Sequence, residues 1–177
     1  YYFGGDPNKE SNKWSGFINN EKLLINKDFF DNLTQLRIGW GFVSGAELPS
    51  AKFVLEQRLG LDSPPLIAMG DAPDKPDPTG FILLSSQLSN TPLGKLTPPV
   101  AYIGDTVADV KTVINARSVI PEQEFISLGI APPHLSGITN KEKRLSYEIK
   151  LKEAGADIII NSISNLKNEL INLFTHK

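Results

Sequence analysis

The chain reads as an α/β protein with a parallel sheet covered by helices on both faces. Two observations carry that expectation. Short apolar runs of strand length alternate with segments of helical spacing along the chain, and the runs are too uniformly apolar for strands with one wet face. Turn-forming residues also punctuate each unit, so the alternation repeats without long structureless gaps.

The elements follow in order. Residues 1 to about 26 are rich in Asn, Lys, Gly and Ser with scattered aromatics and show neither period, so they read as irregular. Phe29, Phe30, Leu33 and Leu36 then mark a helix from about Lys27, followed by Ile38, Trp40, Phe42 and Val43 as a buried strand. Leu48 to Leu59 has helical spacing, with Pro49 tolerable in the first turn and Gly60 as the stop. Pro65 to Met69 is a short strand. Asp77 and Pro78 open a helix through Phe81, Leu84 and Leu88, because an Asp side chain accepts free backbone N–H groups and Pro suits the first helical position. Val100–Gly104 is a strand, Thr106–Arg117 a helix and Phe125–Gly129 a strand. Asn140–Ala154 is a helix, Asp157–Ile160 a strand, and Ile163–Phe174 an amphipathic closing helix. Thr91 to Pro99 and Pro132-Pro133 are loops, so residues 27–177 form one domain.

Bulk composition sets outer bounds. One domain suits 177 residues. A hydrophobic fraction of 40%, 21% charged residues and a formal charge of -2 are ordinary for a soluble protein and give no field to gather nucleic acid or anionic lipid. The absence of cysteine excludes disulfides and thiolate metal sites, and no apolar run has the length of a membrane span or leader. These features fit a cytoplasmic protein without nucleic-acid or membrane partners.

In open parallel sheets, ligands sit at the carboxyl ends of the strands, which directs attention to the polar residues there. Tyr-Ile-Gly-Asp-Thr-Val-Ala-Asp, residues 102 to 109, offers Asp105 and Asp109 across a helix start, on one side of its first turn. Hard carboxylate ligands so placed suit Mg²⁺; the blander alternative makes Asp105 an N-cap and Asp109 a solvated first-turn acid. Lys75, in Asp-Lys-Pro-Asp-Pro, is either a surface lysine or a compact cation for phosphoryl oxygens. Ser44, followed by Gly45, is either a turn serine or an anion ligand through its hydroxyl and the next backbone N–H. His134 reads as a solvated loop residue or the rim of a substrate site, and His176 as an end residue. Trp40 reads as core, Trp14 as a packing or substrate-facing aromatic, and Lys141, Lys143 and Arg144 as a solvated helix face. Neither Gly-rich phosphate-loop signature is present, which disfavours a nucleotide-binding fold of that kind.

Ser44 after one strand, Lys75 in its Pro-rich context, and Gly104, Asp105 and Asp109 after another strand resemble the second, third and fourth motifs of the haloacid dehalogenase superfamily, over about residues 33 to 160. The resemblance is closest to members with a helical cap. It implies a three-layer, Rossmann-like core, with residues 1–26 as the tail of the cap and 27–177 as the core. It also implies a Mg²⁺-dependent phosphatase of small phosphorylated metabolites acting through an aspartyl-phosphate. Ser44, with Gly45, would hold the phosphoryl group and Lys75 would stabilise charge. Asp105 would bind the metal directly, and Asp109 would bind it through water or pair with Lys75. Asp74 departs from the glycine often found before the motif lysine. The family's first motif, an Asp-x-Asp at the end of the first strand, is not found, since none of Asp6, Asp28, Asp31, Asp62 and Asp71 has the required context. In the family that strand lies mid-sheet, between the strands ending at Ser44 and at Asp105. Its lack predicts an incomplete copy of a longer protein, inactive alone, with two unpaired strand edges in the core. The alternative is a non-catalytic phosphate- and Mg²⁺-binding or regulatory unit.

Overall fold

The computed structural model describes residues 23, 25–135 and 138–175. The expected cap tail falls almost entirely on residues outside this set, as do Trp14 and His176. Among the described residues the fold is mixed α/β with parallel strands. Six α-helices occur: α1 (Lys27–Gln35), α2 (Leu48–Lys52), α3 (Thr79–Ser89), α4 (Val107–Val119), α5 (Lys141–Glu153) and α6 (Ile163–Thr175). The strands are β1 (Phe42–Val43), β2 (Leu66–Ile67), β3 (Val100–Gly104), β4 (Phe125–Ile130) and β5 (Ile158–Ile160).

The strands do not make one sheet. β1 pairs with β2, and β3, β4 and β5 form a second ladder in that order, with every pairing parallel. No ladder joins β1 to β3 among the described residues. Helices hold the two sheets together. On one face, Leu33 of α1 joins Ile126, Leu128, Ile160 and the α6 residues Leu166 and Leu170, while its neighbour Phe30 packs on Phe42, Leu55 and Leu61 beside the small sheet. On the other, Phe81 of α3 stacks edge-on to Tyr102 at 5.0 Å and meets Phe125 and Val113, with Val43 of β1 against the same cluster. The period-2 alternation of β4 sends Phe125 to one helical layer and Ile126 to the other.

Local chemistry explains most boundaries. Asn26 caps α1 by accepting from the Phe29 N–H, and Asp77 accepts from Thr79 at 2.9 Å to start α3 one residue beyond Pro78. The helix from Leu48 turns into a π-helical stretch over Phe53–Arg58, and Gly60, at φ 69°, ends it. The strand expected from Ile38 is reduced to Phe42–Val43, and the one from Pro65 to Leu66–Ile67. Each has apolar residues enough for more, yet each has only the other as ladder partner. By contrast β3 occupies all of its expected span, beside the buried β4.

Candidate functional site

The strand ends that carry Ser44, Lys75 and Asp105 lie on one side of the fold, because the strands within each sheet are parallel and Lys75 reaches from one sheet to the other. Lys75 leaves the loop after β2, and its Nζ meets Asp109 Oδ1 of α4 at 2.6 Å. The loop is further tied to α4 by Asn115, whose side chain donates to the Pro76 carbonyl at 2.9 Å. Ser44, immediately after β1, lines the same small cleft as Asp74, Lys75 and Asp77. Its Oγ accepts the Ala46 N–H at 3.0 Å, a local turn that leaves the hydroxyl hydrogen available to donate. Gly45 beside it is exposed and has nothing near the position of a Cβ.

Asp109 is the most enclosed of these groups, at 3% exposure. Its Oδ1 accepts from Lys75 and from the Tyr102 hydroxyl at 3.1 Å, and its Oδ2 accepts from the Thr106 N–H at 3.0 Å and Thr106 Oγ1 at 2.7 Å. Thr106 Oγ1 in turn accepts from the Asp109 N–H, closing a reciprocal cap at the start of α4. Burial alone would push the Asp109 carboxyl upward, but the hydrogen bonds from Lys75 and Thr106 outweigh it and hold the pKa below the ordinary value. Neither bland reading of the two acids survives: Thr106 is the N-cap in place of Asp105, and Asp109 is buried, not solvated. With four donors on its two oxygens, Asp109 stands as the partner of Lys75 and not as an open metal ligand.

Gly104 is what lets the carboxylate sit there. A Cβ at this position would overlap the Cβ of Asp109 and lie 2.6 Å from its Cγ. Asp105, half-buried, follows it. Burial first, and then the negative charge of Asp109, push its pKa above the usual carboxylate value, while its own backbone N–H, Lys75 and His134 pull the other way. A cation beside Asp105 would relieve that penalty. Among the described residues, however, no group of three or more His, Asp or Glu side chains converges as metal ligands. Asp105 is thus a half-buried carboxylate at this edge with a raised pKa, and the described residues around it form no ligand group of their own.

Two contributors were not visible in the sequence as site residues. Tyr102 looked like an ordinary strand residue, although strand alternation places it on the face toward α3 and α4, where its hydroxyl finds Asp109; burial, then Asp109's charge, raises its pKa. Tyr147 of α5 donates to the Asp105 carbonyl at 2.7 Å and so braces the loop, a contact across 42 positions that no local pattern signals. Lys141, Lys143 and Arg144 lie on α5, where Lys141 and Lys143 are exposed and Arg144 pairs with Glu148 within the same helix. No protein-family model matches the chain, and comparison with curated proteins finds no match either.

Proposed function

We propose that this chain carries the phosphate-orienting and charge-setting part of a Mg²⁺-dependent phosphatase of small phosphorylated metabolites, of the haloacid dehalogenase type with a Rossmann-like core, acting in the cytoplasm. The observation that carries the reading is the Lys75–Asp109 ion pair, because it spans the two sheets and brings Lys75 from one strand end to Asp105 at another, with Ser44 in the adjoining cleft. Ser44 Oγ–H donates to a phosphoryl oxygen, with the Gly45 backbone beside it. Lys75, fixed by Asp109, offsets the charge that gathers on the phosphoryl group in the transition state. Asp105 is the carboxylate that would hold Mg²⁺, and the ion would supply further charge neutralisation there.

The break between β1 and β3 supports the same reading. The Phe42 and Ser44 N–H groups donate to β2, so Gly41 and Val43 direct theirs to the opposite edge. Val100 likewise donates to Glu124 on the β4 side, so Ala101 and Ile103 point away from it. Both edges accept one more parallel strand, which would join the sheets. The resemblance assigns to that strand the aspartate that attacks phosphorus. A second reading, a non-catalytic phosphate-binding unit, is favoured by the same break, since among the described residues no Asp-x-Asp stands with Ser44, Lys75 and Asp105.

Hydrolysis of p-nitrophenyl phosphate by the intact protein tests the choice. Activity that needs Mg²⁺ and disappears in Asp105→Ala is expected. Undiminished activity in excess chelator would overturn the phosphatase reading, and saturable phosphate binding without turnover would establish the second.

A further inference from the structure

The ends of β1, β2 and β3 at the ligand edge enter the reading above; the end of β4 does not. β4 runs in register with β3, Gly129 opposite Gly104, so the residues after Ile130 stand beside the Asp105 loop. They form a 3-10 turn, Pro133–Leu135, that is held from several directions. Ala131, Pro132 and Leu135 are buried, the Leu135 N–H donates to the Pro132 carbonyl at 3.0 Å, and Asn140 Nδ2 donates to the His134 carbonyl at 3.0 Å. Among residues 131–135 only His134 is exposed. Its imidazole lies within electrostatic reach of the Asp105 carboxylate. Two prolines, buried neighbours and a side-chain clamp on its own carbonyl thus hold the backbone that presents one exposed imidazole at the ligand edge.

We propose that His134 is a second anion-binding donor, giving an imidazole N–H to a phosphoryl oxygen from the β4 side of Asp105 while Lys75 acts from the β2 side. An imidazole donates one N–H when neutral and two when protonated, so the role does not depend on its charge state. The proposal rests on the phosphate reading of Ser44, Lys75 and Asp105.

The test is a titration of the chain with inorganic phosphate in excess Mg²⁺, followed by NMR of the imidazole C–H groups and the backbone amides. The chain has only two histidines, so His134→Ala assigns the signals. The His134 resonance is expected to move along a saturating curve with the same midpoint as the Ser44 and Gly45 amides. His134→Ala is expected to weaken binding about tenfold, the scale of one hydrogen bond to a charged group. His134→Asn, which keeps a donor, recovers part of that loss, and neither variant shifts the thermal midpoint without ligand. Saturable binding with a stationary His134 resonance, or equal affinity in His134→Ala, overturns the role of His134 alone. No saturable binding in the wild type, or undiminished binding in Lys75→Ala, overturns the phosphate reading beneath it.

Discussion

Asp109 organises the site at the level of single side chains, and its surroundings fix what replacing it does. Asp109→Asn removes one partner of an ion pair whose side chains are 5% and 25% exposed. The loss is expected to be about 3 kcal/mol in denaturant unfolding, near the lower end for breaking a buried pair because Lys75 keeps some contact with water. The same interaction gives a pH signature. The folded-state pKa of Asp109 lies below its ordinary 3.8, so its contribution is complete above that value and is lost as pH falls through the lower folded one. Asp105 behaves oppositely. Its raised pKa means the folded chain holds that proton more tightly than the unfolded chain, so ionisation destabilises the fold as pH rises from 3.8 through the raised value. In metal-free buffer Asp105→Asn is therefore expected to melt higher than wild type at neutral pH and with it in strong acid, while abolishing any Mg²⁺-dependent activity. A lower neutral melting temperature in that variant would show that Asp105 is structural and not a carboxylate held at a cost for a ligand. At this scale the sequence marked Ser44, Lys75, Asp105 and Asp109 by order alone. It could not separate the open acid from the enclosed one, because that depends on Tyr102 and Lys75 approaching from 7 and 34 positions away.

Among the elements, α4 depends most on its first turn. Thr106 caps it, and the Asp109 side chain closes the cap reciprocally, so helix start and site geometry share the same two residues. Thr106→Ala is expected to lower stability by about 1 kcal/mol, the usual cost of losing such a cap, and to reduce Mg²⁺-dependent phosphate binding as Asp109 loses the Oγ1 donor. The Thr106 N–H remains, so the helix persists and circular dichroism changes little. Gly104→Ala is more severe, since its Cβ would occupy the space of Asp109; a loss of about 2 kcal/mol in denaturant midpoint analysis is expected, with the Lys75 pair displaced. Helices were well marked by spacing and caps: α1, α5 and α6 begin and end within about two residues of the expected limits. Strand lengths were legible only where a partner exists. β3 and β4 reach or exceed their expected spans, whereas the apolar stretch from Ile38 and the one from Pro65 keep two ladder residues each, because pairing is a property of neighbours and not of composition.

For the molecule as a whole, the consequence of that pairing is a fold held across its middle, among the described residues, by helix packing together with the Lys75–Asp109 ion pair and the Asn115–Pro76 hydrogen bond. α1 on one face and α3 on the other touch both sheets, yet no strand-to-strand hydrogen bonds cross from β1 to β3 among the described residues. Buried backbone groups without partners are expensive, and an exposed strand edge recruits whatever strand it can pair with. Two outcomes of native-state hydrogen exchange follow. In the chain alone, the amides of Gly41, Val43, Ala101 and Ile103, which face the break, are expected to exchange faster than those of the buried residues Ile126 to Leu128 in β4. Pairing of a further parallel strand into the break is expected to slow those four amides together and to raise cooperativity, since one ladder would replace two. Rapid exchange is also a property of fraying ends, so coincidence matters more than rate. Protection that rose at Val43 without rising at Ile103 would mean that the strand adds to one edge only and does not join the sheets.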